Sequence, residues 1–257
     1  MRQKLATASL LLLLVGTVPA VVAPQTLWDG IGECGERPLI DKTSGSRIVG
    51  GHDAEVGAWP WSVSLQIHHV GAKFAHICGG TLVSENSVVT AGHCTTGRKD
   101  PYFWRAVLGT HNLWKHGKHA ARRSIRSIIV HPEFDRETFE NDIALFHLNS
   151  AVRYSYYIQP ICLPSAHLYL YIGQETECFI SGWGRYSKTP SVLQEAQVEI
   201  IPHSACNNSD AYGGMINNNM ICAGSPLGGI DSCQVRINTM PNVPPLSQSL
   251  RGIAMHL

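Results

Sequence analysis

Residues 81–94 read TLVSENSVVTAGHC, a short β-type run that leads into a turn carrying His93. Comparable runs follow one another along the chain between turn residues. They are SVSLQI (62–67), WRAVLG (104–109), SIRSIIV (124–130), DIALFHL (142–148), CFISGWG (178–184) and VEII (198–201). No run keeps the 3.6-residue period of a helix. The sequence therefore predicts an all-β barrel or sandwich.

Composition narrows the class of protein further. The 257 residues contain 20 Lys plus Arg against 19 Asp plus Glu, a net charge of +1, which gives no reason to expect nucleic acid or an anionic membrane as a partner. Charged residues make up 15% and apolar residues 44% of the chain, so intrinsic disorder is disfavoured. Eight cysteines, an even number, point to a disulfide framework.

The N-terminus indicates the compartment. Arg2 and Lys4 precede the apolar run LLLLLVGTV, and small residues follow up to Ala20. This layout predicts a secretory signal peptide over residues 1–20, with an uncleaved membrane anchor as the alternative. We therefore expect a secreted protein with no membrane span in the mature chain, its cysteines paired as disulfides. The sequon Asn207-Asn208-Ser209 predicts a glycosylation site at Asn207.

Three positions carry candidate chemistry. Arg47 directly precedes Ile48-Val49-Gly50-Gly51, which reads either as a zymogen cleavage site or as a glycine turn after a basic linker. His93 lies between Cys78 and Cys94, directly before Cys94. A disulfide between these two cysteines would clamp the turn that carries His93, and a general base needs such a fixed geometry. Asp142 lies in an otherwise apolar run, where a buried charge needs a partner. His93 Nδ1 is the natural candidate, because a carboxylate there fixes the tautomer of a general base.

An ordered set of motifs gives the chain a family resemblance. IVGG, CGGTLV, TAGHC, NDIAL, PICLP, CFISGWG, MICAG and DSCQ occur in the order found in trypsin-like, chymotrypsin-fold serine proteases, over residues 48–234. The resemblance implies a double β-barrel with His93 as general base and Asp142 as its orienting carboxylate. It also implies activation by cleavage between Arg47 and Ile48. Asp231 matches the acid of the primary specificity pocket, which implies cleavage of substrates after Arg or Lys. Within the family, GAWPWSVSLQI and AVRYSYYIQPICLP are most similar to acrosin and the testis-type transmembrane protease serine 12.

The family pattern breaks after Gln234. The residues that follow are Val235-Arg236-Ile237-Asn238, where the family has a Gly-Asp-Ser-Gly-Gly motif. The nucleophilic serine and the oxyanion-binding N–H groups beside it are therefore missing, and the second barrel is incomplete. Substitution by Ser232, Ser247 or Ser249 is not expected. The resemblance implies an endopeptidase homologue that is catalytically inactive in this chain, with a non-catalytic binding or decoy protein and a non-productive splice product as alternatives.

Residue patterns and the resemblance together divide the chain. The N-terminal layout gives a signal peptide at 1–20, and residues 21–47, which lack periodicity, read as a short pro-segment or linker. The resemblance gives an incomplete protease domain at 48–234, and the proline-containing residues 235–257, which have no cysteine and no alternating strand, are expected to be a poorly ordered tail. The implied disulfides are Cys34–Cys162, Cys78–Cys94 and Cys206–Cys222. Cys178 and Cys233 match positions whose partners lie in the missing segment, so they are free, paired with each other or linked to another chain.

Other candidate sites carry less chemistry. His116 and His119 lack further residues at zinc-ligand spacing, and residues 109–121 contain no acidic calcium ligand, so no metal or cofactor is expected. A basic stretch at 115–126 suggests a site for a polyanion such as a sulfated glycan, with a solvated basic surface as the alternative. Its members are Lys115, Lys118, Arg122, Arg123 and Arg126. Other expected partners are a protein or peptide substrate or an inhibitor. An unfinished barrel exposes strand edges, so retention in the endoplasmic reticulum is the alternative to secretion.

Overall fold

The computed structural model describes residues 33–40, 51–68, 73–163, 177–184 and 190–224, and the backbone of 253–256. The described residues form eleven strands, one short α-helix and two 3-10 turns. In chain order the strands are β1 (His52–Asp53), β2 (Ser62–His68), β3 (Phe74–Ser84), β4 (Ser87–Thr90), β5 (Trp104–Leu108), β6 (Ala121–Val130), β7 (Ala144–Leu148), β8 (Cys178–Gly182), β9 (Gln194–Ile201), β10 (Met220–Gly224) and β11 (Ile253–His256). The helix α1 spans His203–Cys206, and the 3-10 turns span Gly92–Thr95 and Pro101–Phe103.

Six strands close into a barrel in the order β2-β3-β4-β7-β6-β5. This confirms the all-β prediction and selects a barrel over a sandwich. Within the described ranges no helix has the length and apolar character needed to cross a membrane.

Alternation along β2 shows how the sequence builds the barrel. Val63, Leu65 and Ile67 belong to the apolar cluster in its interior, where Trp104 and Phe146 meet edge to face at 5.2 Å. The intervening residues Ser62, Ser64 and Gln66 are polar but also buried.

The buried polar side chains of β2 obtain their hydrogen bonds from each other and from β3. Ser64 Oγ lies 2.8 Å from His76 Nδ1, and Gln66 Nε2 donates to Ser64 Oγ at 3.0 Å. Because an unpaired buried polar group is costly, this chain of hydrogen bonds lets β2 be covered on both faces.

The remaining strands form a second, five-stranded sheet in the order β1-β9-β10-β11, with β8 also paired to β9. The two sets of strands are joined by side chains. Trp59 Nε1 donates to one carboxylate oxygen of Glu195, whose other oxygen lies 3.2 Å from His52 Nε2. Ser62 Oγ lies 3.4 Å from Ser181 Oγ. The second sheet is therefore held against the closed barrel by specific polar contacts.

The last described strand, β11, lies within residues 235–257, for which the sequence predicts a poorly ordered tail. Residues 253–256 pair antiparallel with β10, with Cys222 opposite Ala254 and Ile221 opposite Met255. A strand edge presents unpaired N–H and C=O groups that accept a further strand. A four-residue run is too short for alternation alone to identify it, which is why the sequence pattern did not reveal β11.

Residues 33–40, which precede the barrel strands, pack on the barrel. Gly35 N–H donates to the Pro160 carbonyl at 2.8 Å, beside the Cys34–Cys162 disulfide. Arg37 Nε donates to the Ala58 carbonyl at 2.7 Å, and its guanidinium lies 4.1 Å from the centre of a Trp59 ring. Residues 33–40 are thus attached both covalently and by packing.

Candidate functional site

The register of two barrel strands brings His93 and Asp142 together. Thr90, the last residue of β4, pairs with Ala144, the first residue of β7. His93 follows Thr90 by three residues, and Asp142 precedes Ala144 by two. Because the strands are antiparallel, both residues leave the barrel at the same end.

The turn that carries His93 is fixed from several sides. A disulfide joins Cys94 to Cys78 in β3. The buried Thr95 hydroxyl donates to the Gly92 carbonyl at 2.8 Å, and Thr90 Oγ1 donates to the Gly79 carbonyl at 2.7 Å. These bonds hold the turn that carries the imidazole in a fixed position on the barrel.

Asp142 binds His93 through both carboxylate oxygens. Oδ2 lies 2.6 Å from Nδ1 of the imidazole, and Oδ1 accepts the backbone N–H of His93 at 2.7 Å. The Asp142 side chain is 4% exposed, whereas that of His93 is 33% exposed. The carboxylate is therefore buried with its partner supplied, and the imidazole reaches the surface.

Close packing shapes the surroundings of the pair. A Cβ atom added at Gly92 would lie 3.2 Å from Asp142 Oδ1 and 3.2 Å from Phe134 Cγ, tighter than ordinary contact. The absence of a side chain at Gly92 thus lets the carboxylate approach. The Phe139 ring meets the imidazole edge on, with centroids 5.9 Å apart. The sequence does not identify Phe134 or Phe139 as neighbours of the pair, because their contacts depend on how loop 131–142 folds back on the turn.

The arrangement can accept a proton at the surface. A carboxylate at Nδ1 favours the tautomer with the proton on that atom, which leaves the Nε2 lone pair as a base. Of the other site residues, Arg47, Ile48 and Asp231 lie outside the described residues. The same is true of Ser232, Ser247 and Ser249.

One cluster near His93 has the composition of a metal site. Potential ligand atoms of Cys78, His93 and Cys94 lie within 4.8 Å of one another. The two sulfurs are bonded to each other, so neither is available as a thiolate. His116 and His119 have separate contacts, because His116 Nδ1 lies 2.9 Å from Thr110 Oγ1 and the His119 ring stacks on Tyr157 at 3.8 Å. None of these histidines completes a metal site in the described part of the chain.

The cysteines form the three implied pairs, which are Cys34–Cys162, Cys78–Cys94 and Cys206–Cys222. Cys178 is a free thiol among the described cysteines, half-buried at the start of β8. Cys233 lies outside the described residues.

The side-chain amide of Asn207 is engaged within the fold. Its Oδ1 accepts the Ile216 N–H at 2.9 Å, and its Nδ2 donates to the Ile216 carbonyl at 2.9 Å. Nδ2 is also the atom that a glycan would modify. Glycosylation at Asn207 remains a prediction, and the sugar would compete with this contact.

The basic stretch divides between two faces of β6. Arg122 and Arg126 are exposed, whereas Arg123 donates to the Ala151 carbonyl from Nε and Nη2 at 3.2 and 3.1 Å. Arg105 lies outside the stretch, and its pKa is lowered first by burial and then by the positive charge of Arg122. Arg105 lies ten residues before the start of the basic stretch, so a count of consecutive basic residues does not include it. The pairing of WRAVLG with the basic run could have indicated it.

Comparisons with known proteins agree with this geometry. The sequence profile described as Trypsin matches residues 48–235. Over 204 residues, 78% of this chain, the sequence is 38% identical to atrial natriuretic peptide-converting enzyme of Mus musculus. Over 206 residues it is 37% identical to the enzyme of the same name from Rattus norvegicus. The matches span 17% and 18% of those relatives, so the chain corresponds to less than a fifth of their length. With the closed barrel, the paired His93 and Asp142 and the profile match in agreement, the chain belongs to the trypsin family of serine proteases.

Proposed function

We propose that this chain is a trypsin-like endopeptidase homologue that is catalytically inactive. The observation that carries the proposal is a contrast between the site and the sequence. His93 and Asp142 hold the geometry of a general base and its orienting carboxylate. No Gly-Asp-Ser-Gly-Gly motif follows Gln234, so the nucleophile that this base would serve is missing. In a related triad system, loss of the nucleophile lowers kcat by about 10⁶-fold.

A fluorophosphonate probe tests the proposed inactivity. The probe reacts with an activated serine hydroxyl, and the purified full chain is expected to show no labelling. A trypsin-family protease of known activity is the positive control, and the His93→Ala variant is the matched negative control. Labelling of any serine that disappears in His93→Ala would show that another hydroxyl serves as nucleophile, and the proposal would be wrong.

The processing steps belong to the same proposal. The layout of the N-terminus predicts cleavage of a signal peptide after Ala20 and secretion. The resemblance implies cleavage of the zymogen after Arg47 and a protease domain over residues 48–234. It also implies a specificity for Arg or Lys set by Asp231 and kinship with acrosin and transmembrane protease serine 12. Expression in cultured cells, followed by mass spectrometry of medium and lysate, tests secretion against retention in the endoplasmic reticulum. It also gives the N-terminus of the mature chain.

A second candidate function is a binding role that needs no nucleophile. The closed barrel presents His93 at its surface, and this intact unit favours a decoy that engages a substrate or a protein inhibitor. Titration of the full chain with small protein inhibitors of trypsin-like enzymes tests the idea. Binding that weakens in a His93→Ala variant is the expected result. Absence of binding to every such inhibitor would contradict the decoy.

A polyanion bound at the basic stretch 115–126 forms part of this binding role. The support for it is the exposure of Arg122 and Arg126 on one side of β6. A non-productive splice product remains the third alternative. Secretion of a chain with the three disulfides intact would argue against that alternative.

A further inference from the structure

Three arginines lie on one outer face of the barrel. Arg105 in β5 pairs with Ser124 in β6, and the exposed Arg122 and Arg126 lie two residues to either side of Ser124. Side chains of alternate residues in a regular strand share a face, and diagonal neighbours across a strand pair lie about 7–8 Å apart, which places Arg122 beside Arg105. Arg126 lies where the register of β6 shifts between Ile125 and Ser127, and it joins the face through its exposure. We call Arg105, Arg122 and Arg126 the arginine face.

The central member of the arginine face is held in a fixed orientation. Arg105 donates from Nε and Nη2 to Gln66 Oε1 at 2.9 and 2.7 Å. Its guanidinium also lies 3.9 Å from the centre of the Phe74 ring. Gln66 is buried and bonded to Ser64, so the support is itself rigid. A preorganised guanidinium loses little conformational entropy when it binds an anion.

Within the described ranges, the positive charge of the arginine face has no counter-charge at ion-pair distance. The sequence contains no Asp or Glu from 62 to 84 or from 101 to 132, which includes β2, β3, β5 and β6. Among the described residues, no carboxylate lies within 4.0 Å of any of the three guanidiniums. Burial lowers the pKa of Arg105, and the charge of Arg122 lowers it further. The face is therefore a site of unrelieved positive potential.

The spacing of the arginines sets the size of the ligand. Arg122 and Arg126 are four residues apart in the strand, so their Cα atoms are at most about 13 Å apart at 3.3 Å per residue. A ligand that carries several anionic groups along its length can contact all three guanidiniums at once, and it gains more affinity from the face than a single small anion does. Guanidinium forks match the oxygens of tetrahedral anions. Because the N-terminus predicts the secretory route, the polyanions that this face would meet are extracellular.

We propose that the arginine face binds a linear sulfated glycan. The inference rests on the proposed binding role and makes it specific. It adds Arg105 to the basic stretch and removes Arg123, whose guanidinium is bonded to the Ala151 carbonyl. It does not depend on His93, so loss of inhibitor binding and loss of glycan binding can be told apart.

Binding of heparin to the immobilised full chain tests the proposal. The variant Arg122→Gln/Arg126→Gln removes two charges from the face while Arg105 keeps its support. The matched control is Arg136→Gln/Arg153→Gln, which removes two exposed charges outside β5 and β6. We expect the face variant to raise Kd by about tenfold or more and to flatten the dependence of Kd on salt, whereas the control changes both little. Circular dichroism should show both variants folded.

Three outcomes would overturn the proposal. An equal loss of affinity in the face variant and the control would mean that the overall charge, not the face, attracts heparin. Unchanged affinity for desulfated heparin would exclude sulfate recognition. Equally tight binding of a single-stranded DNA of matched charge would mean that any polyanion suffices. Retention of heparin by the parent chain, with selective loss in Arg122→Gln/Arg126→Gln, supports it.

Discussion

The carboxylate of Asp142 binds His93 through two hydrogen bonds, one to the imidazole Nδ1 at 2.6 Å and one from the backbone N–H at 2.7 Å. The second bond fixes the turn as well as the ring. A residue that orients a base therefore also stabilises the end of the barrel. This double role gives the pair a structural function that does not depend on hydrolysis.

Replacement of Asp142 tests the structural role. Asp142→Asn keeps the shape of the side chain but weakens both bonds and places an NH2 group near a donor. We expect the free energy of unfolding to fall by about 1–3 kcal/mol, measured by urea denaturation. Nitrogen NMR of the imidazole should show loss of the preference for a proton on Nδ1. Asp135→Asn, which alters an exposed carboxylate in the same loop, is the control and should lower the free energy of unfolding less. Equal losses in the two variants would contradict the role of the two hydrogen bonds.

The arginines near His116 predict a measurable effect of pH. Burial, followed by the charges of Arg122 and Arg105, lowers the pKa of His116 below its ordinary value of 6.5. The folded protein thus binds fewer protons here than the unfolded chain, so this group's contribution to stability is lost as pH falls below 6.5. Proton NMR of the imidazole should show a higher pKa in Arg122→Gln. Arg153→Gln should leave it unchanged, and a shift of equal size there would mean that no local interaction is involved.

The contact between Asn207 and Ile216 predicts that two changes in one sequon will affect stability unequally. Asn207→Asp removes the donor to the Ile216 carbonyl and sets a carboxylate oxygen against it, which should cost about 1–3 kcal/mol of stability. Ser209→Ala removes the sequon but leaves the contact, and should change stability by no more than about 0.5 kcal/mol. Thermal unfolding gives the comparison. Mass spectrometry of secreted protein would contradict the importance of the contact if Asn207 were fully glycosylated and the protein equally stable after removal of the sugar.

The pairing of β10 with β11 predicts a specific cross-link. In a background with Cys178→Ser and Cys233→Ser, the pair Ile221→Cys and Met255→Cys should form a disulfide under mild oxidation, since directly opposed residues lie within disulfide range. The combination of Ile221→Cys with Ile253→Cys is two residues out of register and is the control. Cross-linking in both pairs alike, or in neither, would contradict the described register. Mass mapping of the oxidised peptides identifies the bond.

Much of the fold followed from the sequence because alternation along a strand is a local signal. SVSLQI predicts a strand with Val63, Leu65 and Ile67 on one face, and those residues lie inside the barrel. The closeness of His93 and Asp142 required more, since no local signal joins residues 49 apart. The need of a buried carboxylate for a partner supplied the link, and strand register supplied the geometry.

What the sequence could not provide was the pairing between strands. Arg122 and Arg123 are neighbours in the chain, yet one points to solvent and the other reaches the Ala151 carbonyl. Arg105 joins Arg122 only because β5 and β6 are adjacent in the barrel. A run of basic residues in the sequence therefore includes some side chains that do not contribute to the charged surface and omits others that do. Only the strand register shows which residues belong to that surface.

The Cys34–Cys162 disulfide has a practical consequence for anyone who follows cleavage after Arg47. Its two cysteines are separated by 128 residues and lie on opposite sides of Arg47. A cut chain would stay in one piece, with the N-terminal fragment tethered and Arg37 still seated against Trp59. The molecule would keep its mass, apart from one water molecule, and would run as a single band until a reducing agent is added. An intact band on a non-reducing gel is therefore no sign that the chain is uncut.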